Sequence, residues 1–524
     1  MEVDPPAELA PILEAASEFA SYPGLQNDAS AKEFLDRFPL HELFGVLQSK
    51  ADVPGVEDTI VSCLDKIFRT KYGASLLPSY APFIQAGLQA NSQTVRCLAC
   101  KAVSYLLDIT TDRVAALQVI VAHNIYPLLL GCLVDGDEKT SAASLEAIQS
   151  IAQSPEGINI IFPANGEEPL LIKNIAAQSS SLGRIRILAL VAKLFSLSTS
   201  MATAVYNSNL LNLFEIEIKN GHDVLTILSA LELLYELVES PHSSMFFLRT
   251  TLLQLLINMI RDSSVDSILR SRAALISGRV LSSSVAYTAV DISSVTAVVV
   301  AIDERLQILG SQKSDETESA LEALGLIGAT SQGATLLLKS STSVARHVVE
   351  AAFDHHSRGK QLAGLHALAS ICGADRPEDS IVLDDAAEES LRRLIYTIAA
   401  NAPKFKPSGL ILSTLRQEPE IRLAGYRLVS VLAVRHWFLV EICSNQEIIT
   451  IVTDAKIETE KNGMDARHQC CVSISKALSS SNLLQDATFA GIAVKLQEAV
   501  RSGPYRAKDQ HLEAHPVVMT AERF

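Results

Sequence analysis

An all-α solenoid is the fold this sequence predicts: a right-handed array of about ten to twelve armadillo or HEAT-like repeats. Three observations predict it: a composition poor in strand formers, an apolar stripe that returns ten times, and a nearly constant distance between its copies. Of the 524 residues 48% are apolar and 20% are charged, the balance of a folded chain and not of a disordered one. Aromatics make up only 5%, and 24 Gly with 19 Pro leave few of the turn residues and aromatic strand formers that an all-β chain needs.

The stripe is clearest in LEAIQSIA, where Leu145, Ala147, Ile148 and Ile151 fall at offsets 0, 2, 3 and 6 and so share one side of a helix. Upstream the same offsets hold Val61, Cys63, Leu64, Ile67 and then Cys100, Ala102, Val103, Leu106. Downstream they hold Leu188, Leu190, Val191, Leu194; Leu231, Leu233, Leu234, Leu237; and Ala274, Ile276, Ser277, Val280. The last four copies are Leu321, Ala323, Leu324, Ile327; Leu365, Ala367, Leu368, Ile371; Tyr426, Leu428, Val429, Leu432; and Cys471, Ser473, Ile474, Ala477. First positions are separated by 39, 45, 43, 43, 43, 47, 44, 61 and 45 residues. Periods of about 40–47 built from two or three helices belong to armadillo and HEAT arrays.

The flanks fit the armadillo variety. Turns in IAQSPEGINIIF and LIGATSQGATLLL place Pro155, Gly157 and Gly333 where the striped helix should stop, and IYPLLLGCLV, EPLLIKNIA and LLQLLINMI supply a middle helix for successive units. No unit of this kind buries its own apolar faces, so stacked neighbours are expected to form one continuous core. Residues 1–50 are helical in pattern but off the period, as a cap should be, and 51–505 form the solenoid. The gap of 61 marks a loop-rich insertion near 373–404, where ADRPEDSIVLDDAAEES reads as an acidic loop. Residues 506–524 have lost the rhythm and read as a disordered tail.

The net charge of −15 removes the electrostatic footprint of a nucleic-acid binder, and a basic partner is easier to accommodate. Eight cysteines are too sparse for a disulfide framework. The start MEVDPPAE has neither the basic segment nor the apolar run of a signal peptide, and apolar runs such as Val298–Ile302 are far shorter than the ~18 residues a membrane span needs. A soluble cytoplasmic or nuclear protein without membrane contact is expected, and as a capped solenoid it is expected to be a monomer.

Motifs that carry chemistry are incomplete. Cys97 and Cys100 form a C-x-x-C without a second ligand pair, and Cys100 opens an apolar stripe, so both read as structural, as do Cys470 and Cys471. His347, Asp354, His355 and His356 read as solvated helix-end residues, because adjacent histidines do not share a helix face. From Asp135 the chain has calcium-loop acids at Asp137 and Glu146, but Lys139 and Thr140 stand where an oxygen ligand and a glycine are needed. Gly359-Lys360 lacks the first glycine and the Ser or Thr of a phosphate loop. Neither a cofactor nor catalysis is expected.

What a solenoid does offer is the outward side of its third helices, expected to line a concave surface. If offsets 0, 2, 3 and 6 are buried, offsets 1, 4 and 5 face out: Lys101, Ser104, Tyr105; Glu146, Gln149, Ser150; Lys193; Glu232, Tyr235, Glu236; and Arg279. Partner contact is assigned to Lys101, Tyr105, Gln149, Lys193, Glu232, Tyr235, Glu236 and Arg279, with Tyr105, Tyr235 and Arg279 favoured because Tyr and Arg dominate interface hot spots. The single Trp437 is expected to pack at a repeat end.

Three segments, ALGLIGATSQGATLLL (Ala323–Leu338), LRQEPEIRLAGYRLVSVLAVRHW (Leu415–Trp437) and LQEAVRSGPY (Leu496–Tyr505), resemble the 26S proteasome non-ATPase regulatory subunit 5 family. The sequence departs from that family at its acidic N-terminus and over Asp375–Lys404. The resemblance implies an ATP-independent chaperone for assembly of the regulatory-particle base. It implies binding to the C-terminal domain of the first regulatory-particle AAA-ATPase and release before the core particle docks. It brings no catalytic residue and no cofactor. An armadillo adaptor or scaffold for another complex is the alternative; one Trp does not make the Trp and Asn ladder with which importin-like grooves read basic peptides.

Overall fold

A computed structural model describes residues 9–49, 53–109, 112–163, 168–221, 223–240, 242–289, 292–310, 315–340, 342–401 and 406–505. The tail 506–524 lies outside them, as do parts of the cap 1–50 and of the insertion 373–404. Among the described residues every regular element is helical and none is a strand. The fold is an all-α solenoid in which each stripe lies on its own helix. These ladder helices are α1 (Val56–Phe68), α2 (Gln93–Ile109), α3 (Glu138–Ala152), α4 (Ser181–Leu197), α5 (Val224–Glu239), α6 (Ser267–Val280), α7 (Asp315–Gly328), α8 (Arg358–Cys372), α9 (Pro419–Leu432) and α10 (Lys461–Ser479). The chain forms two compact units, Met1–Phe246 with α1–α5 and Phe247–Phe524 with α6–α10. Within each unit consecutive ladder helices pack on one another.

The stripe is the core. All forty striped positions are buried except Leu145, Leu233, Ser473 and Ala477, which are half-buried. Several of these helices begin where a short polar side chain takes up an orphan amide. Asp137 accepts from Thr140 N at 2.8 Å ahead of α3, Ser180 from Gly183 N at 3.2 Å ahead of α4, and Asp223 from Thr226 N at 3.1 Å ahead of α5. The acidic start of the calcium-like stretch is therefore a helix cap.

The glycines at the repeat turns have a different role from the one their position suggests. Gly157 and Gly333 do not end a helix; each sits in the first turn of the next, three residues after the cap, as does Gly73. Thr70, Ser154 and Thr330 cap that turn, accepting from Gly73, Gly157 and Gly333 N at 3.0, 3.1 and 3.0 Å. A Cβ on these glycines would fall on the carbonyl of Ile67, Ile151 or Ile327, the last striped residue of the preceding ladder helix. In the second unit offset 4 is itself small. A Cβ on Gly278 would lie 2.8 Å from Ala323 Cα, and one on Gly325 would lie 2.9 Å from Ala367 Cα, so α6, α7 and α8 approach almost backbone to backbone.

The cap 1–50 contains helices Ala10–Ser21, Asp28–Arg37 and Leu40–Ser49, and the middle helices appear as Ile125–Asp135, Glu168–Gln178 and Leu252–Arg261. Part of the acidic insertion is helical. A helix spans Asp385–Asn401, capped by Asp384, which accepts from Ala387 N at 3.0 Å. Among the described residues of the insertion the loop is thus 373–384, with a 3-10 turn at Glu378–Ser380. Trp437 is half-buried, with its ring 5.7 Å from that of Tyr396 and 5.5 Å from that of Phe438. Among the described residues no single helix is long and apolar enough to cross a membrane. Two pairs reach that length only together, bent by 76° and 120°, and both contribute to the buried core.

Candidate functional site

Helix geometry divides the outward positions. At about 100° per residue, offset 1 points directly away from the stripe, while offset 4 lies only ~40° from offset 0 and offset 5 only ~60° from offset 2. Neighbouring ladder helices therefore reach over offsets 4 and 5 where the side chain is small. Ser104 and Ser150, expected to face out, are buried for this reason, at 8% and 5% exposure. Lys101 at offset 1 and the large Tyr105 at offset 5 still reach the surface.

Lys101 and Tyr105 meet around a residue of the preceding repeat. Asp65 of α1 accepts from Tyr105 OH at 3.0 Å, has Lys101 Nζ at 3.7 Å and pairs with Arg69 at 2.9 Å, and Arg69 Nε donates to Tyr105 OH at 2.8 Å. Burial and then the negative Asp65 push the Tyr105 phenol up to about 12, so it remains a donor at neutral pH. Asp65 and Arg69 were missed by a reading confined to apolar stripes, although Asp65 occupies offset 4 of α1.

Lys193 and Glu236, 43 residues apart, pair at 3.1 Å between α4 and α5. Both are half exposed, so their coupling in a double-mutant cycle should be only about 0.2–1 kcal/mol and should shrink in added salt. A coupling above ~2 kcal/mol in 0.5 M salt would refute this account of the pair as a surface clamp. On the same outward side Glu146, Glu232 and Glu236 are exposed, and Gln149 and Tyr235 are half-buried. Seven of the eight assigned residues thus belong to the first unit.

Arg279 belongs to the second unit. It is half-buried and lines a hollow of about 530 Å³ with Glu322, Leu326, His366, Ser370 and Asp375. Burial and then the nearby Arg427 push the His366 imidazole below its ordinary pKa, so at neutral pH it is an uncharged wall of this hollow. Carried on to α9 and α10, the offset rule also yields Arg427 at offset 1 and Lys476 at offset 5. Neither is among the outward residues that the sequence assigns to partner contact.

The remaining candidate groups are engaged in the fold. Ser343 Oγ donates to Asp303 Oδ1 at 2.9 Å and lies 3.1 Å from His347 Nε2, and Asp303 is 3.6 Å from that same nitrogen. A catalytic triad needs the carboxylate on the other ring nitrogen. His355 is held by Gln417 and Ser413 at 2.7 and 2.9 Å, and Asp354 by Lys360 at 3.1 Å, which also occupies the lysine of the phosphate-loop-like pair. Cys100, Cys470 and Cys471 are fully buried; Cys97 is half-buried. Burial pushes the thiols of Cys63 and Cys443 up to about 12 and that of Cys471 up to about 11. Among the described residues no group of three or more His, Cys, Asp or Glu is placed to hold a metal ion.

Fold and face together define a class: a helical-repeat protein whose outward ladder positions carry paired charges and tyrosines. Within that class the family is specific. The sequence model of the proteasome non-ATPase 26S subunit family matches residues 25–520, and the chain belongs to this family. No curated protein matches the sequence. Among solved structures, one engineered protein from the Northeast Structural Genomics Consortium is similar at 14% identity and a TM-score of 0.43, covering 80% of this chain and 99% of its own. A second engineered protein from the same consortium is similar at 15% identity and a TM-score of 0.33, covering 48% of this chain and 98% of its own.

Proposed function

We propose that this protein is an ATP-independent, non-catalytic chaperone for assembly of the 26S regulatory-particle base, which binds the C-terminal domain of the first regulatory-particle ATPase through its outward ladder face. Membership of the proteasome non-ATPase family over residues 25–520 is the observation that carries this reading. The physical features support it. A face of alternating charges with half-buried tyrosines suits a small globular domain, where a few aromatic and Arg anchors supply most of the affinity. Bound there, a protein of 524 residues would block premature docking by its bulk alone. The chain would act as a cytosolic or nuclear monomer, without cofactor, nucleic acid or membrane.

The test is a binding screen of the full chain against the six isolated C-terminal domains of the proteasomal ATPases, with Tyr235→Ala and Arg279→Ala run separately beside it. One domain should bind selectively, and at least one substitution should weaken it about 30-fold or more, the loss typical of a hot spot. Binding to none of the six would overturn the chaperone reading and favour an adaptor for another complex. Selective binding untouched by either substitution would move the site off these residues.

A further inference from the structure

The acidic insertion lies against the outward ladder face of the second unit. After α8 ends at Cys372, Gly373 turns the chain at φ +108°, and the following residues reach α9 and α10. Asp375 Oδ1 is 2.6 Å from Arg427 Nη2, and both Glu378 carboxylate oxygens are 2.7 Å from Lys476 Nζ, 98 residues away in sequence. The segment is anchored at its ends. Arg435, almost fully buried, donates to the Cys372 and Ile381 carbonyls at 3.1 and 3.3 Å and grips Glu388 with two bonds of 2.7 and 2.9 Å. Between those anchors residues 375–380 are exposed or half-buried, with only the Arg376 guanidinium turned inward, and they stand between two hollows. One, of about 530 Å³, includes Asp375 in its wall; the other, of about 550 Å³, includes Glu378 and Lys476.

We propose that Arg427 and Lys476 form a docking site for a partner segment bearing two carboxylates, and that Asp375 and Glu378 occupy it as an intramolecular stand-in which the partner displaces. Charge complementarity commits the site to an acidic occupant even though the chain as a whole is acidic. The stand-in is held weakly. Lys476 and Glu378 are 64% and 80% exposed, and such pairs contribute little and are screened by salt. The closed arrangement also leaves Nε and Nη1 of Arg376 buried without a protein partner, which favours release. What keeps the two carboxylates in place is their tether, fixed by Arg435 and by Arg376 Nη2, which donates to the Ile371 and Ile381 carbonyls at 2.8 and 3.3 Å, since a short linker holds its ends at an effective concentration in the millimolar range.

The probe is the segment's own sequence, GADRPEDSIVL (residues 373–383), added as a free peptide to the methyl-labelled full chain and followed by NMR up to millimolar concentration. The peptide should bind the Asp375→Asn/Glu378→Gln chain at least about tenfold more tightly than the unaltered chain, because the tethered competitor is gone. Adding Arg427→Ala and Lys476→Ala should abolish that binding. A Lys476→Glu chain should reject the peptide but accept a version carrying Glu378→Lys. Equal affinity for the unaltered and Asp375→Asn/Glu378→Gln chains, no saturable shifts with the latter, or binding that survives loss of both cations would overturn the proposal. All the changed side chains are exposed or half exposed, so folding should be retained. No proteasomal protein enters the experiment, which makes its failure distinct from failure of the chaperone reading.

Discussion

Replacing Glu316 by Gln should destabilise the second unit by about 3–5 kcal/mol, the cost of leaving buried cations without their counter-charge. Glu316 lies in the first turn of α7 at 6% exposure, between Arg270 of α6 and Arg305 of the helix Ile292–Leu309. Arg270 reaches its two oxygens at 2.8 and 2.9 Å; Arg305 binds the same pair, through Nη2 at 3.3 Å and through Nε. The two guanidiniums are only 7% and 8% exposed, so removing the carboxylate charge strands both. Urea denaturation should show a lower midpoint with an unchanged slope. A loss below ~1 kcal/mol would mean that solvent reaches the triad. Replacing all three members by apolar residues of similar volume should cost less than the single change, because it removes the buried charges as well as their pairing.

The same triad fixes an acid sensitivity. Burial opposes the charged form of Glu316, but the hydrogen bonds from Arg270 and then Arg305 outweigh it and hold its pKa below the ordinary carboxylate value. A depressed carboxylate pKa means that the unfolded chain binds more protons in that range. Its contribution is therefore present in full above the unfolded pKa of about 4.3 and is lost as pH falls through the folded pKa. The Glu316→Gln chain should lose less stability than the unaltered one over that interval. An identical acid profile in both would rule Glu316 out as a contributor.

Gly333→Ala should be among the most costly single-methyl changes, about 2–3 kcal/mol, at the upper end of what overpacking costs. The added carbon has no free space: it would fall on the Ile327 carbonyl oxygen and 2.5 Å from Tyr287 OH. The nearer obstacle is backbone, which does not rotate away. Gly73→Ala and Gly157→Ala meet the carbonyls of Ile67 and Ile151 in the same way and should behave alike in the first unit. Gly131→Ala is the control. Nothing lies within 4 Å of its Cβ, and it sits inside the helix Ile125–Asp135, so it should be neutral or stabilising by up to ~1 kcal/mol. If Gly131→Ala and Gly333→Ala shifted the thermal midpoint equally, close approach at the turn would not be the reason for glycine there.

The ladder was legible in the sequence because its cause is local. Apolar side chains at offsets 0, 2, 3 and 6 share a helix face whatever lies beyond it, which is why thirty-six of the forty striped positions are buried. Lys101 and Tyr105 were found by the same rule, since they stand on the side that remains. Ser104 and Ser150 were misread because the rule describes one helix and omits its neighbours. The glycines at the turns were visible as punctuation, but their place inside the next helix follows from its distance to the preceding carbonyl.

By itself, then, the sequence determined the fold class, the ten ladder helices and the period that stacks them, all consequences of patterns within one helix turn or one repeat. Tertiary structure alone decided which charges meet. Asp65 reaches Lys101 and Tyr105, Lys193 reaches Glu236, Glu316 gathers two arginines, and Glu378 lies on a lysine 98 residues away. Those meetings depend on how far one helix is rotated and shifted against the next and on the path of the loop between them. Charge, unlike an apolar stripe, has no periodicity that records its partner.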